Sequence, residues 1–453
     1  MPFQIIRANN IDINTAVNGL DDRQCQCIEC PDTDILIKAP AGSGKTTTLI
    51  AAIAQYKYEN LNSHVCAITF TNAAADEINT RLQQVGIYDV ETSTIHVWAK
   101  RQLERLSRKH NFSIQSRLLS DADSKQVLDR LLHEYFATNH TRMSESTKQR
   151  CMNVTFCYMW VFGNKKMNIY DTQKKVWNNI EQQYIQYKKD NKLYNFTDYP
   201  LYLYDKITEY NEVIDDIDGL FVDEFQDVDP TQFALFKEFT HADKRFFIGD
   251  SWQSIYIFRN ADGEVFNKLG DFTVFDLSYN YRSYQEVIDF ATSVYTYFSS
   301  DIEAKNKYVT RIPTDYIMPS SVTCSRGYGG HVYWINPYGR SFEYHQHEIC
   351  DSGTPRELIT YFIRKGAIIL CRTNKQVKAL QGLGYVNAMT VHQAKGLEYD
   401  YVIFVDNTMI SEEEIEDLNV AYVALTRAKD EILVINWVQL EAEMAAAIKT
   451  ALV

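Results

Sequence analysis

The sequence predicts an α/β protein of two parallel-sheet units, the first interrupted by a helical insertion. Three observations carry this reading. Residues 35–37 are an apolar run, followed by Ala39, Gly42, Ser43 and Gly44, then Lys45, Thr46 and Thr47, then the apolar stretch 49–53: strand, tight loop, helix. A second apolar run, 219–222, delivers two adjacent carboxylates, Asp223 and Glu224, at its end. A further series of strand-like runs begins near residue 272, at 273–277, 331–335, 367–371, 388–391, 401–405 and 432–435, and has no such loop of its own.

The loop at 39–46 has the composition of a triphosphate cradle. Glycines let backbone N–H groups turn inward, and the N-terminus of the following helix adds its positive dipole end. Lys45 is placed to reach the β- and γ-phosphates of ATP, and the Thr46 hydroxyl to ligate Mg²⁺. Ala39 stands where the usual pattern has its first glycine and is small enough to serve. Successive strand residues point to opposite sides, so Asp223 can hold Mg²⁺ while Glu224 orients the attacking water. Upstream, Gln24 lies in a short helix that Asp21 or Asp22 can cap, and its amide can hydrogen-bond an adenine edge.

Length and composition bound the rest. A chain of 453 residues with 45% hydrophobic and 23% charged content is an ordinary globular protein of several domains. No uninterrupted apolar stretch approaches the roughly 18 residues of a membrane span, and the first ten residues lack a signal-peptide apolar core. The expectation is a cytoplasmic protein with no membrane contact. Nine cysteines without regular pairing fit a reducing compartment. Cys25, Cys27 and Cys30 lack a matching fourth ligand and read as free thiols. The net charge of −13 is unevenly placed: residues 100–192 hold 18 Lys/Arg against 9 Asp/Glu. A basic module in an acidic protein suits a focused polyanion contact, or else a solvated helical face.

Taken in order, residues 65–70 form a second strand ending at Phe70, and Thr71 and Asn72 open a helix that runs to 82. Thr94 and His96 follow a third short strand. Hydroxyls and helix N-termini at strand ends suit phosphate-backbone contacts, or act simply as caps. Residues 108–192 turn helical, with Lys pairs and many Tyr and Asn. After the strand at 245–250, Gln253 can sense a γ-phosphate, and Tyr256 and Phe258 can stack on bases or pack in a core.

In this order, these stretches resemble the UvrD/Rep/PcrA family of superfamily 1 DNA helicases. Gln24 matches the Q motif, 39–46 motif I, 69–72 motif Ia, Thr94 and His96 motif Ib, and 223–227 motif II. Residues 249–259 match motif III, 280–283 motif IV, 390–398 motif V and 421–428 motif VI. The resemblance implies two RecA-like domains with ATP between them and single-stranded DNA crossing both: domain 1A at 1–107 and 193–271, a helical basic insertion 1B at 108–192, and domain 2A at 272–453. Lys45, Asp223, Glu224 and Gln253 would act from the first domain, and Arg282 and Arg427 would reach the γ-phosphate from the second. Gln24 and Tyr281 would hold adenine, and Glu398 the ribose. Phe70, Tyr256 and Phe258 would stack bases, with Thr71, Asn72, Thr94, His96, Arg259, Thr390 and His392 along the strand.

The chain departs from the family in three places. Phe258 stands where motif III usually carries Trp, and Thr47 where an Arg often follows the loop. Motif V follows the strand 367–371 so soon that the usual subdomain 2B has no room, and no nuclease domain is expected after motif VI. The implied activity is a 3′→5′ ATP-dependent helicase on single-stranded DNA and single-strand/duplex junctions, in DNA repair or replication. A translocase that strips proteins or serves a nuclease or other recombination protein, and an ATP-gated clamp, are the alternatives.

Overall fold

The computed structural model describes residues 11–114, 117–139, 143–162, 169–256, 261, 265–305, 322–334, 354–405 and 415–451. The first unit opens with α1 (Ile13–Val17), α2 (Asp22–Glu29), β1 (Asp34–Lys38), α3 (Lys45–Glu59), β2 (Val65–Thr69), α4 (Asn72–Gln84), β3 (Glu91–Thr94) and α5 (Ile95–His110). A helical layer follows: β4 (Arg117–Leu118), α6 (Asp121–Thr138), α7 (Glu145–Cys151), α8 (Val154–Val161), α9 (Asp171–Asp190) and β5 (Leu193–Tyr194). The chain then returns through α10 (Asp198–Tyr210), β6 (Gly219–Val222), α11 (Pro230–Lys237), β7 (Lys244–Gly249) and β8 (Thr273–Asp276).

These strands form one parallel sheet in the order β3-β2-β6-β7-β1-β8. Its inner strands are buried on both faces, as Val65–Thr69 and Gly219–Val222 show. That is why they read as continuous apolar runs rather than as alternating ones.

The second unit contains β9 (Tyr279–Asn280), α12 (Gln285–Lys305), β10 (Thr323–Cys324), β11 (His331–Trp334), α13 (Pro355–Arg364), β12 (Ile368–Cys371), α14 (Asn374–Gly382), β13 (Ala388–Thr390), α15 (Val391–Ala394), β14 (Tyr399–Val405), α16 (Ile415–Leu425), β15 (Ala428–Ile435) and α17 (Trp437–Ala451). Its main sheet is also parallel, in the order β11-β15-β14-β12-β13.

One strand changes sides. The run 273–277, expected to open the second unit, supplies β8, which pairs with β1 from Ile35↔Thr273 to Lys38↔Asp276. It is the half-exposed edge of the first sheet. An edge strand carries no local mark of the sheet it joins, so the pattern around Phe272 could not place it.

The helical layer has its own core of Leu128, Leu132, Trp160, Trp177, Ile180 and Tyr184. Asn195 ties it to the chain's return: its amide oxygen accepts from the Tyr184 hydroxyl at 2.8 Å, and its nitrogen donates to Ser124 Oγ at 2.7 Å. Part of the expected basic surplus lies elsewhere. Arg101, Arg105 and Lys109 sit on α5, whose Trp98, Leu103 and Leu106 pack in the core of the first sheet. They pair with Glu91, Asp216 and Glu212 respectively. Between α14 and β13 the chain makes a tight turn over 383–387, closed by Gly384 N–H to Gln381 O and Tyr385 N–H to Leu380 O. Among the described residues, no helix is long and apolar enough to cross a membrane.

The two sheets meet along an apolar seam. Ala41, Trp252 and Ile255 of the first unit share a cluster with Phe290, Tyr295, Val391 and Tyr422 of the second. The Trp252 ring stacks on Tyr295, with centroids 3.9 Å apart, and meets Tyr422 edge-on at 5.2 Å. Deleting this ring in Trp252→Ala should lower unfolding free energy by about 3–5 kcal/mol. In calorimetry it should split the melting of the two units into separate transitions. A single transition at the wild-type Tm would contradict the seam's role.

Candidate functional site

The loop between β1 and α3 is pinned at its start, where Ala39 N–H donates to the Gly249 carbonyl of β7 at 2.9 Å. Gly42 and Gly44 take left-handed φ of 74° and 79°, a conformation that disfavours any residue with a Cβ. Gly44 is the N-cap of α3 and offers no side-chain oxygen to the first-turn amides, which leaves a helix start suited to an anion. Lys45 is half-buried behind the loop and donates to the Ala39 carbonyl at 3.0 Å. Burial lowers its pKa, although Glu224, Asp250 and Asp223 oppose the shift. Thr47 faces outward and accepts from Arg81 Nη1 at 3.4 Å.

Gln24 is drawn into this loop. Its amide oxygen completes the capping box with Asp21 N–H at 3.0 Å, and its nitrogen donates to Ser43 O and Thr48 Oγ1, both at 3.1 Å. The structure therefore places Gln24 as a brace between α2 and the loop.

The carboxylates sit across from Thr46. Asp223 extends the β2–β6 ladder through its N–H to Ile68 O, and its Oδ2 accepts from Thr46 Oγ1 at 3.3 Å. Glu224 has φ 52°, a left-handed conformation that costs a non-glycine residue about 1–3 kcal/mol. Its N–H donates to Asp223 Oδ1 at 2.8 Å, and its carboxylate accepts from the Gln226 amide. Gln226 Oε1 in turn accepts Asp250 N–H at 2.9 Å, tying the ends of β6 and β7 together. Burial and the neighbouring Glu224 charge push Asp223 up to about 7. Burial also opposes ionisation of Glu224, but Lys395 and Lys45 outweigh it and hold that carboxylate low. The Thr46 hydroxyl and the Asp223 carboxylate are hard oxygen donors that converge, a set that fits Mg²⁺.

The second unit closes the site. Arg427 is buried, and its Nη2 donates to Gln253 Oε1 at 3.1 Å, while Gln253 Nε2 donates to Asp250 Oδ2 at 2.7 Å. Burial, then the nearby Arg282 charge, lowers Arg427 to about 9. Arg282 Nε donates to Glu398 Oε2 at 2.9 Å, and Lys429 lies 3.2 Å from the other Glu398 oxygen. The Tyr281 hydroxyl donates to Asp21, which places its ring beside Gly44.

Two residues of the matched motifs to which sequence reasoning assigned no role also stand here. Asn280 Nδ2 donates to Ala41 O at 2.6 Å, and its amide oxygen accepts the N–H groups of Arg282 and Ser283. Lys395 Nζ donates to Asp227 and to Gln253 O. Ala41, Asp227 and Gln253 lie far away in sequence from them, so no local spacing reveals these contacts.

On the other side of the seam, Phe70 and Tyr256 stack on each other at 4.5 Å, and His392 lies 5.9 Å from Tyr256. His392 Nε2 is 3.3 Å from Ile255 O, and the His96 ring packs 5.6 Å from Phe196. Thr71 caps α4 through Ala74 N–H, and the adjacent Asn72 is exposed. Thr390 caps α15 in a box with Gln393, whereas Thr94 begins α5 without a side-chain cap. The fold thus brings Phe70, Tyr256 and His392 together, and sets Thr94 beside Thr69 at the ends of β3 and β2. Phe258 and Arg259 lie outside the described residues.

Comparison with known proteins gives matches to both units. The UvrD/REP helicase N-terminal domain matches residues 20–273, and the UvrD-like helicase C-terminal domain matches residues 346–439. A probable DNA helicase of Mycoplasma pneumoniae is 25% identical over 475 residues, covering 92% of this chain and 83% of that protein. A probable DNA helicase II homolog of Mycoplasma capricolum is 28% identical over 62% of this chain and 42% of its own length. The ATP-dependent DNA helicase PcrA of Bacillus subtilis is 28% identical over 62% of this chain and 40% of its own length. The chain therefore aligns with about two fifths of the latter two relatives.

If Asn280 holds the loop for turnover rather than for binding, Asn280→Ala should separate the two. Turnover should fall at least roughly tenfold, about 1.4 kcal/mol in the barrier, while affinity for a fluorescent ATP analogue changes much less. Equal losses in both would count against this role.

Proposed function

Because the chain belongs to the UvrD/REP helicase family, we propose that it is an ATP-driven, Mg²⁺-dependent motor that moves 3′→5′ along single-stranded DNA and opens duplex at junctions. The observation that supports the reading is the line Asp250–Gln253–Arg427, which runs from the end of β7, where the phosphate loop is pinned, into the second unit. In this reading Lys45 and the loop amides bind the phosphates, and Thr46 and Asp223 hold Mg²⁺, which supplies charge neutralisation at the phosphates. Glu224 is the ionised base that orients water. Arg427 and Arg282 approach the γ-phosphate from the second sheet, and Gln253 links that event to the Tyr256 side. Tyr281 flanks the adenine, and Glu398 takes the ribose when Arg282 turns to phosphate. Phe70, Tyr256 and His392 receive the strand, whose bases gain roughly 1–3 kcal/mol each from aromatic stacking.

Glu224→Gln should keep ATP binding and lose turnover, and Arg427→Ala should lower turnover by something like 10³-fold, as expected of an arginine finger. Near wild-type ATPase in either variant would sink the assignment.

The tight turn at 383–387 favours a second reading, that of a translocase which unwinds little by itself. A subdomain gripping the duplex has no place in that turn, and base-pair steps average roughly 1.4 kcal/mol, comparable with the stacking gain. The protein should therefore translocate fast on single strands, and its single-turnover unwinding amplitude should fall steeply with duplex length. A steady amplitude over long duplexes from a demonstrated monomer would refute this.

The helical layer offers Lys174 and Lys175 on α9 as backbone contacts. Reversing both charges should flatten the salt dependence of single-strand binding, by about 0.7 in log–log slope for each phosphate no longer neutralised. An unchanged slope would make them a solvated face.

A further inference from the structure

His64 and Cys66 stand two residues apart where β2 begins, so their side chains fall on one face of the sheet. Glu91, the first residue of β3, pairs with Cys66 across the ladder. One donor atom from each of the three lies within 4.8 Å of the other two. The cluster sits where these strands start, at the opposite end from Phe70, Asp223 and the phosphate loop.

Each half-exposed member is held in place by an outer partner. His64 Nδ1 is 2.5 Å from Asp216 O. A carbonyl can only accept, so the ring proton is on Nδ1, and the neutral ring turns its Nε2 lone pair toward the cluster. Nε2 lies 3.4 Å from Glu91 Oε2 and 3.9 Å from Cys66 Sγ. Arg101 Nη1 donates to the other Glu91 oxygen at 2.8 Å, which keeps Oε2 facing inward. The second nearby guanidinium, Arg105, is paired with Asp216.

We propose that His64 Nε2, Cys66 Sγ and Glu91 Oε2 form a zinc site, with water as the fourth ligand; the proposal is independent of the motor reading above. Nitrogen, oxygen and sulfur bound tetrahedrally to Zn²⁺ at roughly 2.0–2.3 Å are about 3.4–3.6 Å apart, close to the two separations from Nε2. Imidazole with thiolate suits Zn²⁺, whereas Mg²⁺ and Ca²⁺ take oxygen donors. The His64 side chain is 36% exposed and that of Glu91 22%, so the ion enters from solvent and meets the buried Cys66 beneath. Burial holds the thiol pKa high. On binding, the S–H bond breaks, the electron pair stays on sulfur to form the S–Zn bond, and the proton leaves to solvent without any redox change. The ion fastens the start of β2 to the edge strand β3 and, through Asp216 O, to the chain entering β6. The competing account of the same geometry is a protonated His64 paired with Glu91 and no ion.

The test titrates the full chain, reduced and stripped by a chelator, with Co²⁺ and then with Zn²⁺. Cobalt on a thiolate gives a sulfur-to-metal charge-transfer band, and cobalt held by oxygen at Thr46 and Asp223 does not. The wild type should show the band at one Co²⁺ per chain and lose it as Zn²⁺ displaces the cobalt. It should also melt several degrees higher with Zn²⁺ than with chelator, because the ion binds the folded chain. Cys66→Ala should abolish the band. Glu91→Gln alters a partly exposed side chain, which guards against misfolding, and should weaken Co²⁺ binding at least about tenfold. The Cys25→Ser/Cys30→Ser variant should behave as the wild type. A wild type without the band, a band that survives Cys66→Ala or disappears with Cys25 and Cys30, or unchanged affinity in Glu91→Gln would overturn the proposal.

Discussion

The phosphate loop of this protein is gripped from its far side by the second unit. Asn280 Nδ2 donates to Ala41 O, and Tyr281 N–H donates to Gly42 O at 2.8 Å. The approach is so close that a Cβ on Gly42 would lie 2.5 Å from Asn280 Nδ2 and 2.9 Å from Arg282 Cβ. Glycine at position 42 therefore answers two demands, the left-handed turn and the passage of a neighbouring domain. Loop conformation and domain closure become one constraint, because the carbonyls that shape the loop are satisfied by the other half of the molecule.

Charge burial reinforces that constraint. Lys45, Asp223, Glu224, Asp227, Lys395 and Arg427 all lie within the closed seam, where an ion stripped of its partner costs several kcal/mol. Their partners come from both sheets: Lys395 answers Asp227, and Arg427 meets Gln253 in front of Asp250. By contrast, exposed pairs such as Lys100–Glu104 or Arg130–Glu134 are worth little in water. The buried partners at this seam must therefore be present together, and the seam is where the family's chemistry is expected. The Trp252 ring packs against Tyr295 and Tyr422 beside it.

Much of this could be read from the chain because some constraints are local. A Gly-rich loop between a strand and a helix, or an acid pair ending an apolar strand, is written in consecutive residues, so 39–46 and 223–224 stood out. The parallel sheets followed from apolar runs without alternation. Non-local choices were not legible. Nothing in Thr273–Asp276 says that it pairs with β1 rather than opening the next unit. The Gln24 amide suited a base edge in isolation, but the fold engages it with Asp21, Ser43 and Thr48. Arg101, Arg105 and Lys109 counted toward a basic module until their acidic partners came into view. Asn280 and Lys395 lay inside recognised stretches, yet their work depends on atoms far away in sequence.

The central claim is that a nucleotide is held by both units at once. Hydrogen exchange followed by mass spectrometry tests it directly, comparing the protein alone with the protein saturated by Mg²⁺ and a non-hydrolysable ATP analogue. Slowed exchange should appear together in the loop at 39–48 and in 279–283, 391–398 and 423–428 of the second unit. Slowing confined to the first unit, with the second exchanging as before, would contradict the account.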